Sequence, residues 1–202
     1  MNGHPIVQLL SDYLLYQENH PTSSVDDYCR YRLLKSIDPP KKEIAGGLHP
    51  PSVTSLLVKI LARIGKLTFI FSESALKDLG LKTFDEFGAL SAIGIMQQPN
   101  KANVATAMLV EYSTAVEIIN RLIKRGLATE LADINDKRAK LLQLTPKGEV
   151  LLKKCYERMD KLTTMMLSEL PELNKHICVA LLQDTEIKLS NMFKENERFF
   201  LE

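Results

Sequence analysis

Along most of this chain, apolar residues recur every three or four positions, which is the spacing of amphipathic helices. Residues 38–51 interrupt this pattern with four prolines and two glycines, so they are predicted to be a linker. Elsewhere, prolines, glycines and short polar clusters mark where helices begin and end. The pattern predicts helices over residues 6–17, 25–36, 53–71, 74–79, 84–97, 101–109, 146–170 and 173–199.

The segment between Asn100 and Gly148 has a distinct order: a helix capped by Asn100, a tight turn, a second helix and a glycine. Ser113 or Thr114 is predicted to cap the second helix, with Thr114 and Glu117 forming a capping box. Gly126 stands where a left-handed C-terminal cap is expected. The apolar positions of this helix lie on one face, which is predicted to be buried: Ala115, Ile118, Ile119 and Leu122.

After Gly126 the apolar pattern changes to that of short strands, predicted over residues 127–131 and 139–144. The residues between them are rich in Asp and Asn, which suits a hairpin turn. Thr145 and Pro146 then supply a cap and a first-turn proline for a long helix. Helix, turn, helix and basic hairpin in this order predict a winged helix-turn-helix, and therefore a protein that binds double-stranded DNA.

Charge is distributed in agreement with this interpretation. The whole chain has 26 Lys or Arg and 25 Asp or Glu, a net charge of only +1. Residues 101–148 contain eight Lys or Arg against five Asp or Glu, whereas the rest of the chain contains 18 against 20. Positive charge is thus concentrated in the predicted DNA-binding segment, as binding to a phosphate backbone requires.

The chain resembles the MarR (multiple-antibiotic-resistance regulator) family from about Val53 to its C-terminus. The likeness is strongest in the hairpin and in the second helix, at Asp133, Asp136, Arg138, Ala139, Leu141, Leu144, Thr145 and Gly148, and at Arg121, Leu122, Arg125, Gly126 and Leu127. The resemblance implies a homodimeric repressor that occupies a promoter and is released by a small-molecule effector or an oxidant. It also implies that the hairpin is a DNA-contacting wing.

DNA-binding residues follow from the geometry of the motif. The first residues of a recognition helix reach base edges in the major groove, so Ser113, Thr114 and Glu117 are predicted to read bases. Lys101, Arg121 and Lys124 are predicted to hold the phosphate backbone. These residues would anchor the protein on DNA without specifying a sequence.

Arg138, at the tip of the hairpin, is predicted to enter the minor groove, where a guanidinium is favoured in A·T-rich sequence. Asp133 or Asp136 would orient it, although Asp136 is equally well explained as a turn residue. Lys137 is expected to contact the DNA backbone more weakly.

The predicted fold class is mainly α: a winged helix-turn-helix with a short β-hairpin wing and long terminal helices that form a dimerisation module. The last helix carries an apolar surface too broad for a helix resting alone on a small domain. The predicted division is an N-terminal helical extension and linker (1–52), a dimerisation helix (53–80), the DNA-binding domain (81–148) and C-terminal dimerisation helices (149–202).

Other chemistry receives little support. The three cysteines form no CxxC pair and the histidines have no metal-ligand spacing, so neither a metal nor a cofactor is expected. Cys29 lies among Tyr and Arg residues, and is either a redox sensor or an ordinary half-buried cysteine. Cys155 and Cys178 are expected to fill the core. No nucleophile and base, carboxylate pair or phosphate loop indicates an enzyme.

No signal peptide or long apolar run is apparent, so a cytoplasmic protein without membrane spans is expected. One alternative to DNA binding stays open. The chain could be a protein-interaction or assembly module that keeps the winged-helix fold but makes no sequence-specific DNA contact. Glu117, the modest charge and the long N-terminal extension are compatible with it.

Overall fold

The computed structural model describes residues 4–36, 52–96, 98–132 and 140–195. These residues form eight α-helices, one short 3-10 turn and a two-stranded antiparallel sheet. The chain divides into two compact units, Met1–Lys59 and Ile60–Glu202, which are described separately below. Over the described residues, no helix combines the length and the hydropathy that crossing a membrane requires.

The first unit contains helices α1 (Pro5–Asn19) and α2 (Val25–Ser36), in agreement with the prediction. A buried tyrosine, Tyr28, joins them: its hydroxyl donates to the Leu9 carbonyl at 3.2 Å, and its ring packs against Tyr13 and Tyr16. An ion pair of 2.7 Å between Arg32 and Asp12 adds a second link. Aromatic contacts thus hold the two helices together.

Helix α3 (Val53–Leu76) leads into the 3-10 turn Lys77–Leu79. The predicted break between residues 71 and 74 is wrong, because the helix continues through both positions. Ser72 and Leu76 are buried one helical turn apart, so this stretch packs as a continuous helix. The helical path ends at Gly80, which has a left-handed backbone conformation.

The second unit has a core built around the helix-turn-helix. Helices α4 (Phe84–Ile95), α5 (Lys101–Met108) and α6 (Tyr112–Lys124) pack against one another, and α7 (Pro146–Met166) packs on α4. Helix α8 (Glu172–Lys194) follows Pro171. Leu90, Val104, Ile119 and Leu142 are fully buried at the centre.

Strands β1 (Ala128–Ala132) and β2 (Lys140–Leu144) form an antiparallel hairpin in which Ala128 pairs with Leu144. The first predicted strand was placed one residue too early. Gly126 precedes the hairpin with a φ of 68°, a conformation that favours glycine, so its predicted role as a C-terminal cap is confirmed. The mainly α winged helix-turn-helix fold is therefore confirmed.

Two predicted caps are confirmed. The Asn100 side chain accepts from the Asn103 amide and forms a reciprocal capping box with it, and Thr145 accepts from the Gly148 amide at 3.1 Å. Thr83 also caps its helix. Glu86, three residues later, has the spacing that predicts a capping box with Thr83, but it does not complete one. Its carboxylate accepts from the Lys82 amide and points at arginines of α6.

The predicted start of α6 is wrong. The helix begins at Tyr112 with Glu111 as its N-cap residue, and it has no side-chain cap. Leu109 adopts a left-handed conformation and the Val110 amide donates to the Ala105 carbonyl, so the turn closes within three residues. Ser113 and Thr114 consequently lie inside the first helical turn, and the capping box proposed for Thr114 and Glu117 does not form.

The last two helices differ in burial. Helix α7 ends at Met166, earlier than predicted, and buries Leu152, Cys155 and Leu162. Helix α8 buries none of its side chains. Cys155 is a core residue as expected, whereas Cys178 on α8 is exposed, so the prediction that it fills the core is wrong.

Candidate nucleic-acid interface

Helix α6 has one buried face and one exposed face. Ala115, Ile118, Ile119 and Leu122 are at most 2% exposed, so the helix is fixed against α4 and α5 along its length. This is the packing that the spacing of apolar residues predicted. The opposite face is therefore presented in a defined orientation.

The exposed face begins with the predicted base-reading residues. Ser113, Thr114 and Glu117 are all exposed on the first two turns of α6, beside the exposed ring of Tyr112. Within the described residues, none of these three polar side chains forms a hydrogen bond or an ion pair. The structure thus brings together three hydrogen-bonding side chains that face outward from the second helix of a helix-turn-helix.

The predicted phosphate-binding lysine on α5 already has partners. Lys101 Nζ lies 2.7 Å from Glu130 Oε1 on β1 and donates to Asn120 Oδ1 on α6 at 3.4 Å. Lys140 on β2 makes a second ion pair of 2.7 Å with Glu130. Hydrogen bonds from Lys101, and then from Lys140, hold the pKa of the Glu130 carboxyl below its usual value. This ion triad links the first helix of the motif to both strands of the hairpin.

Arg121 is also engaged. Its Nε donates to Glu86 Oε1 at 3.3 Å, and Arg125, the C-cap residue of α6, donates from Nη1 to Glu86 Oε2 at 2.8 Å. The Arg125 Nη2 donates to the Gly80 carbonyl at 2.6 Å. Among the three cations predicted to hold phosphates, Lys124 is exposed and has no ion pair within the described residues.

Sequence reasoning missed Glu86 and Glu130, the two carboxylates that organise these cations. Glu86 is separated by 35 residues from Arg121, and Glu130 by 29 from Lys101. No local pattern connects such distant positions. The position of Glu86 three residues after Thr83 pointed instead to a capping box.

The wing residues Asp133, Asp136, Lys137 and Arg138 lie outside the described residues, and their roles stay predictions. The strands that bracket them are described, ending at Ala132 and beginning again at Lys140. Cys29, for which a redox sensor and an ordinary half-buried cysteine were the alternatives, is exposed on α2, so the half-buried alternative is wrong. Next to it Arg30 pairs with Asp27 at 3.4 Å, and a redox role stays a prediction.

A cavity of about 880 Å³ lies behind the motif, between the end of α4, strand β2 and the start of α7. Apolar side chains and polar groups both line it, including Ile93, Leu152, Gln143 and Tyr156. The Tyr156 hydroxyl lies 2.6 Å from the Ser91 hydroxyl on α4. The cavity is open to solvent on one side, and its volume lies within the range of small-molecule sites.

The sequence matches no protein-family model and no curated protein. Solved structures do match it. A MarR protein from Peptoclostridium difficile superposes with a TM-score of 0.67 at 18% identity, over 76% of this chain and 100% of that chain. The chain has the fold of MarR-family transcriptional regulators.

Two further structures of this fold were solved with bound molecules. CouR from Rhodococcus jostii RHA1, bound to p-coumaroyl-CoA, matches with a TM-score of 0.61 at 22% identity, over 76% of this chain and all of that chain. A mutant of MarR from E. coli, complexed with operator DNA, matches with a TM-score of 0.60 at 19% identity, over 64% of this chain and 93% of that chain. The match thus covers nearly the full length of both solved chains.

Proposed function

We propose that this protein is a sequence-specific, DNA-binding transcriptional regulator. The observation that carries the proposal is the exposed polar row of Ser113, Thr114 and Glu117 on a helix whose other face is fully buried. Such a helix enters a major groove as a rigid body, with its first turns against base edges. A protein of the same fold has been solved with operator DNA, which supports this use of the surface. A regulator of this kind would act in the cytoplasm.

We further propose that the active form is a homodimer. Six large apolar residues of α8 are exposed in the single chain: Leu173, Val179, Leu181, Ile187, Leu189 and Phe193. Helices in proteins draw most of their stability from packing of an apolar face, so a 23-residue helix without a buried side chain needs a covering surface. A two-fold dimer would place two copies of α6 about one helical turn apart, or ~10 base pairs, on a pseudo-palindromic operator.

The regulatory mode proposed is repression by promoter occupancy, with release by a small molecule. The cavity between α4, β2 and α7 offers a volume for such an effector beside the wing. CouR, a protein of this fold, was solved with p-coumaroyl-CoA bound, which supports the binding of a small molecule by this fold.

The first experiment compares base selection by wild-type protein and Glu117→Gln. Both are incubated with fragments of the gene's own genomic neighbourhood and with a randomised duplex library, and bound DNA is sequenced. A carboxylate accepts from cytosine N4 but repels phosphate, so Glu117→Gln should relax base preference and leave non-specific affinity equal or higher.

The matched control for this variant is Glu169→Gln, which makes the same change at an exposed position just after α7. We expect its selected sequences to equal those of the wild type. If Glu117→Gln also selects the wild-type sequences, Glu117 does not read bases. If the wild type selects no sequence at all, the proposed function is wrong.

The second experiment concerns the wing. If Arg138 enters the minor groove of each half-site, Arg138→Ala should cost about 1–3 kcal/mol per contact, and twice that for a symmetric dimer. The slope of log K against log salt should fall by about two. Lys137→Ala is the control, and we expect it to weaken binding less. Exposed charges are substantially screened at ~150 mM salt. If Arg138→Ala binds the operator as tightly as the wild type at this salt concentration, the proposed role of the wing is contradicted.

One observation favours a second candidate function, an interaction module without sequence-specific DNA binding. Two of the cations predicted to hold phosphates, Lys101 and Arg121, are paired with carboxylates of the same chain. Under this alternative, Arg138→Ala and Glu117→Gln would both leave DNA binding weak and non-selective, as in the wild type.

A further inference from the structure

Glu86 is an ionisable side chain with no exposure to solvent. It lies in the first turn of α4 and is 0% exposed. Among the described residues, the buried polar or charged side chains are Ser72 and Glu86. A buried carboxylate is tolerated only when it is paired and hydrogen-bonded, so its partners define why it is there.

The partners of Glu86 come from two parts of the second unit. One oxygen accepts from the Arg121 Nε at 3.3 Å, and the other accepts from Arg125 Nη1 at 2.8 Å and from the Lys82 amide at 3.0 Å. Arg121 lies in the last turn of α6, and Arg125 is the residue at the C-terminal cap of that helix. The three side chains of Glu86, Arg121 and Arg125 are called the Glu86 clamp below.

The clamp extends to the corner between α3 and α4. The second terminal nitrogen of Arg125 donates to the Gly80 carbonyl at 2.6 Å, and Gly80 ends the 3-10 turn that follows α3. One guanidinium therefore bonds a carboxylate of α4 and a backbone carbonyl of the preceding corner. Two cations at the C-terminal end of α6, one in its last turn and one at its cap, are held by one fixed carboxylate. They define both the rotation and the axial position of that helix.

The clamp also changes the charge that DNA would meet. Arg121 is 42% exposed, so a phosphate could reach it. The negative charge of Glu86, however, partly neutralises both Arg121 and Arg125. Phosphate contacts from arginine supply affinity without sequence information. A carboxylate held against both arginines therefore lowers the affinity for DNA of any sequence. Base-specific contacts from the first turns of α6 then account for more of the remaining affinity.

We infer that Glu86 is a positioning residue for DNA reading, which fixes α6 against the α3–α4 corner and withholds Arg121 and Arg125 from phosphate. This inference rests on the proposed function, because it assigns a specificity role at the same surface. Glu86 does not itself touch DNA, and it acts through the two arginines.

The test compares Glu86→Gln with Glu73→Gln. Glu73 lies at the same corner, and its carboxylate accepts from the Phe84 amide. Among the residues that the structure describes, it forms no ion pair. The two variants lose the same charge in the same region, but only one loses the clamp. Affinity for the selected operator and for a random duplex of equal length is measured across a salt series.

For Glu86→Gln we expect the ratio of operator to random affinity to fall about tenfold, the size of one lost base contact. Each subunit frees one positive charge, so the slope of log K against log salt for the random duplex should steepen by about two for a dimer. Glu73→Gln should change neither. Equal ratios and slopes for the two variants would overturn the inference.

Arg125→Lys provides a second variant that keeps the charge but removes the forked contact with Glu86 and Gly80. We expect the affinity ratio to fall without a change in slope, and α6 amides to exchange hydrogen faster than in Glu73→Gln. A ratio and exchange rates equal to those of Glu73→Gln would contradict a positioning role, even if Glu86→Gln failed to fold. A wild-type protein without any selectivity would refute the proposed function, whereas selectivity retained in both clamp variants would refute only this inference.

Discussion

Helices α6 and α8 belong to the same unit but are stabilised in opposite ways. Helix α6 has 13 residues and buries four of them against its own chain. Helix α8 has 23 residues and buries none. The shorter helix is therefore complete within one chain, while the longer one presents apolar side chains that the chain itself does not cover.

This difference suits the two helices to different roles: α6 can present polar side chains in a fixed orientation, and α8 can pack against another copy of the chain. A helix that exposes hydrogen-bonding side chains must be held rigidly from behind, because a small change in orientation misplaces its contacts. A helix that joins two copies needs the reverse, an apolar face left available. Four predictions test this contrast, in decreasing order of magnitude.

Removal of α8 should have the largest effect. We expect a chain that ends at Pro171 to lose the dimer, because Leu181, Ile187 and Phe193 would no longer cover a partner. Light scattering would show the mass of a single chain or an aggregate. Removal of residues 1–36 is the matched truncation, and there we expect a dimer of reduced stability. A folded dimer without α8 would contradict the assembly role of this helix.

Shortening one apolar side chain on each helix should affect the stability of the protein in two different ways. Ile119 is 0% exposed, so Ile119→Ala should lower the free energy of unfolding by about 2–5 kcal/mol, measured in urea. Leu181 is 69% exposed in the single chain, and Leu181→Ala should instead lower Tm only at protein concentrations at which the dimer forms. If Leu181→Ala destabilised the protein equally at every concentration, α8 would be packed within its own chain.

Two glycines, one closely packed and one exposed, should respond to alanine substitution in opposite directions. The expected changes in stability are smaller. A Cβ at Gly148 would lie 2.0 Å from the Leu127 carbonyl oxygen, so Gly148→Ala should destabilise the fold by about 1–3 kcal/mol or more. At Gly65, on the exposed part of α3, a Cβ meets nothing within 4 Å. Gly65→Ala should therefore stabilise by about 0.5–1 kcal/mol in thermal unfolding. A loss of stability that appears only where the dimer forms would place Gly65 in the interface.

Thiol labelling should produce the smallest effect, a difference in rate alone. Burial raises the pKa of the Cys155 thiol to about 11, so it stays protonated and unreactive at neutral pH until the protein unfolds. Cys29 and Cys178 are exposed and should react with a thiol reagent in the folded protein. Slower labelling of Cys178 at high protein concentration would indicate that a partner covers α8. Fast labelling of Cys155 would contradict its position in the core.

Much of the helix-turn-helix could be predicted because its signals are local. Asn100, Gly126 and Thr145 each mark a boundary through their own side chain or backbone preference, and all three do so in the structure. The start of α6 was misplaced because Glu111 occupies the N-cap position through backbone conformation alone. Nothing in its side chain announces that role.

The candidate site was less accessible to sequence reasoning. The exposed row of Ser113, Thr114 and Glu117 follows from helical spacing, but the partners of Arg121 and Lys101 do not. Glu86 and Glu130 approach those cations through tertiary packing, which the pattern of one chain does not encode locally. Sequence thus identified the cations of the motif but not the carboxylates that hold two of them.

Main-chain hydrogen bonds at the base of the hairpin have a consequence for operators that differ in half-site spacing. The Leu142 amide of β2 donates to the Pro99 carbonyl at 2.8 Å, and Leu141 forms a β-bridge with Asn100, the cap of α5. The hairpin strands and the motif therefore share main-chain hydrogen bonds and turn as one body. In the proposed DNA-bound dimer, a change in half-site spacing would then be met by rotation of this whole body.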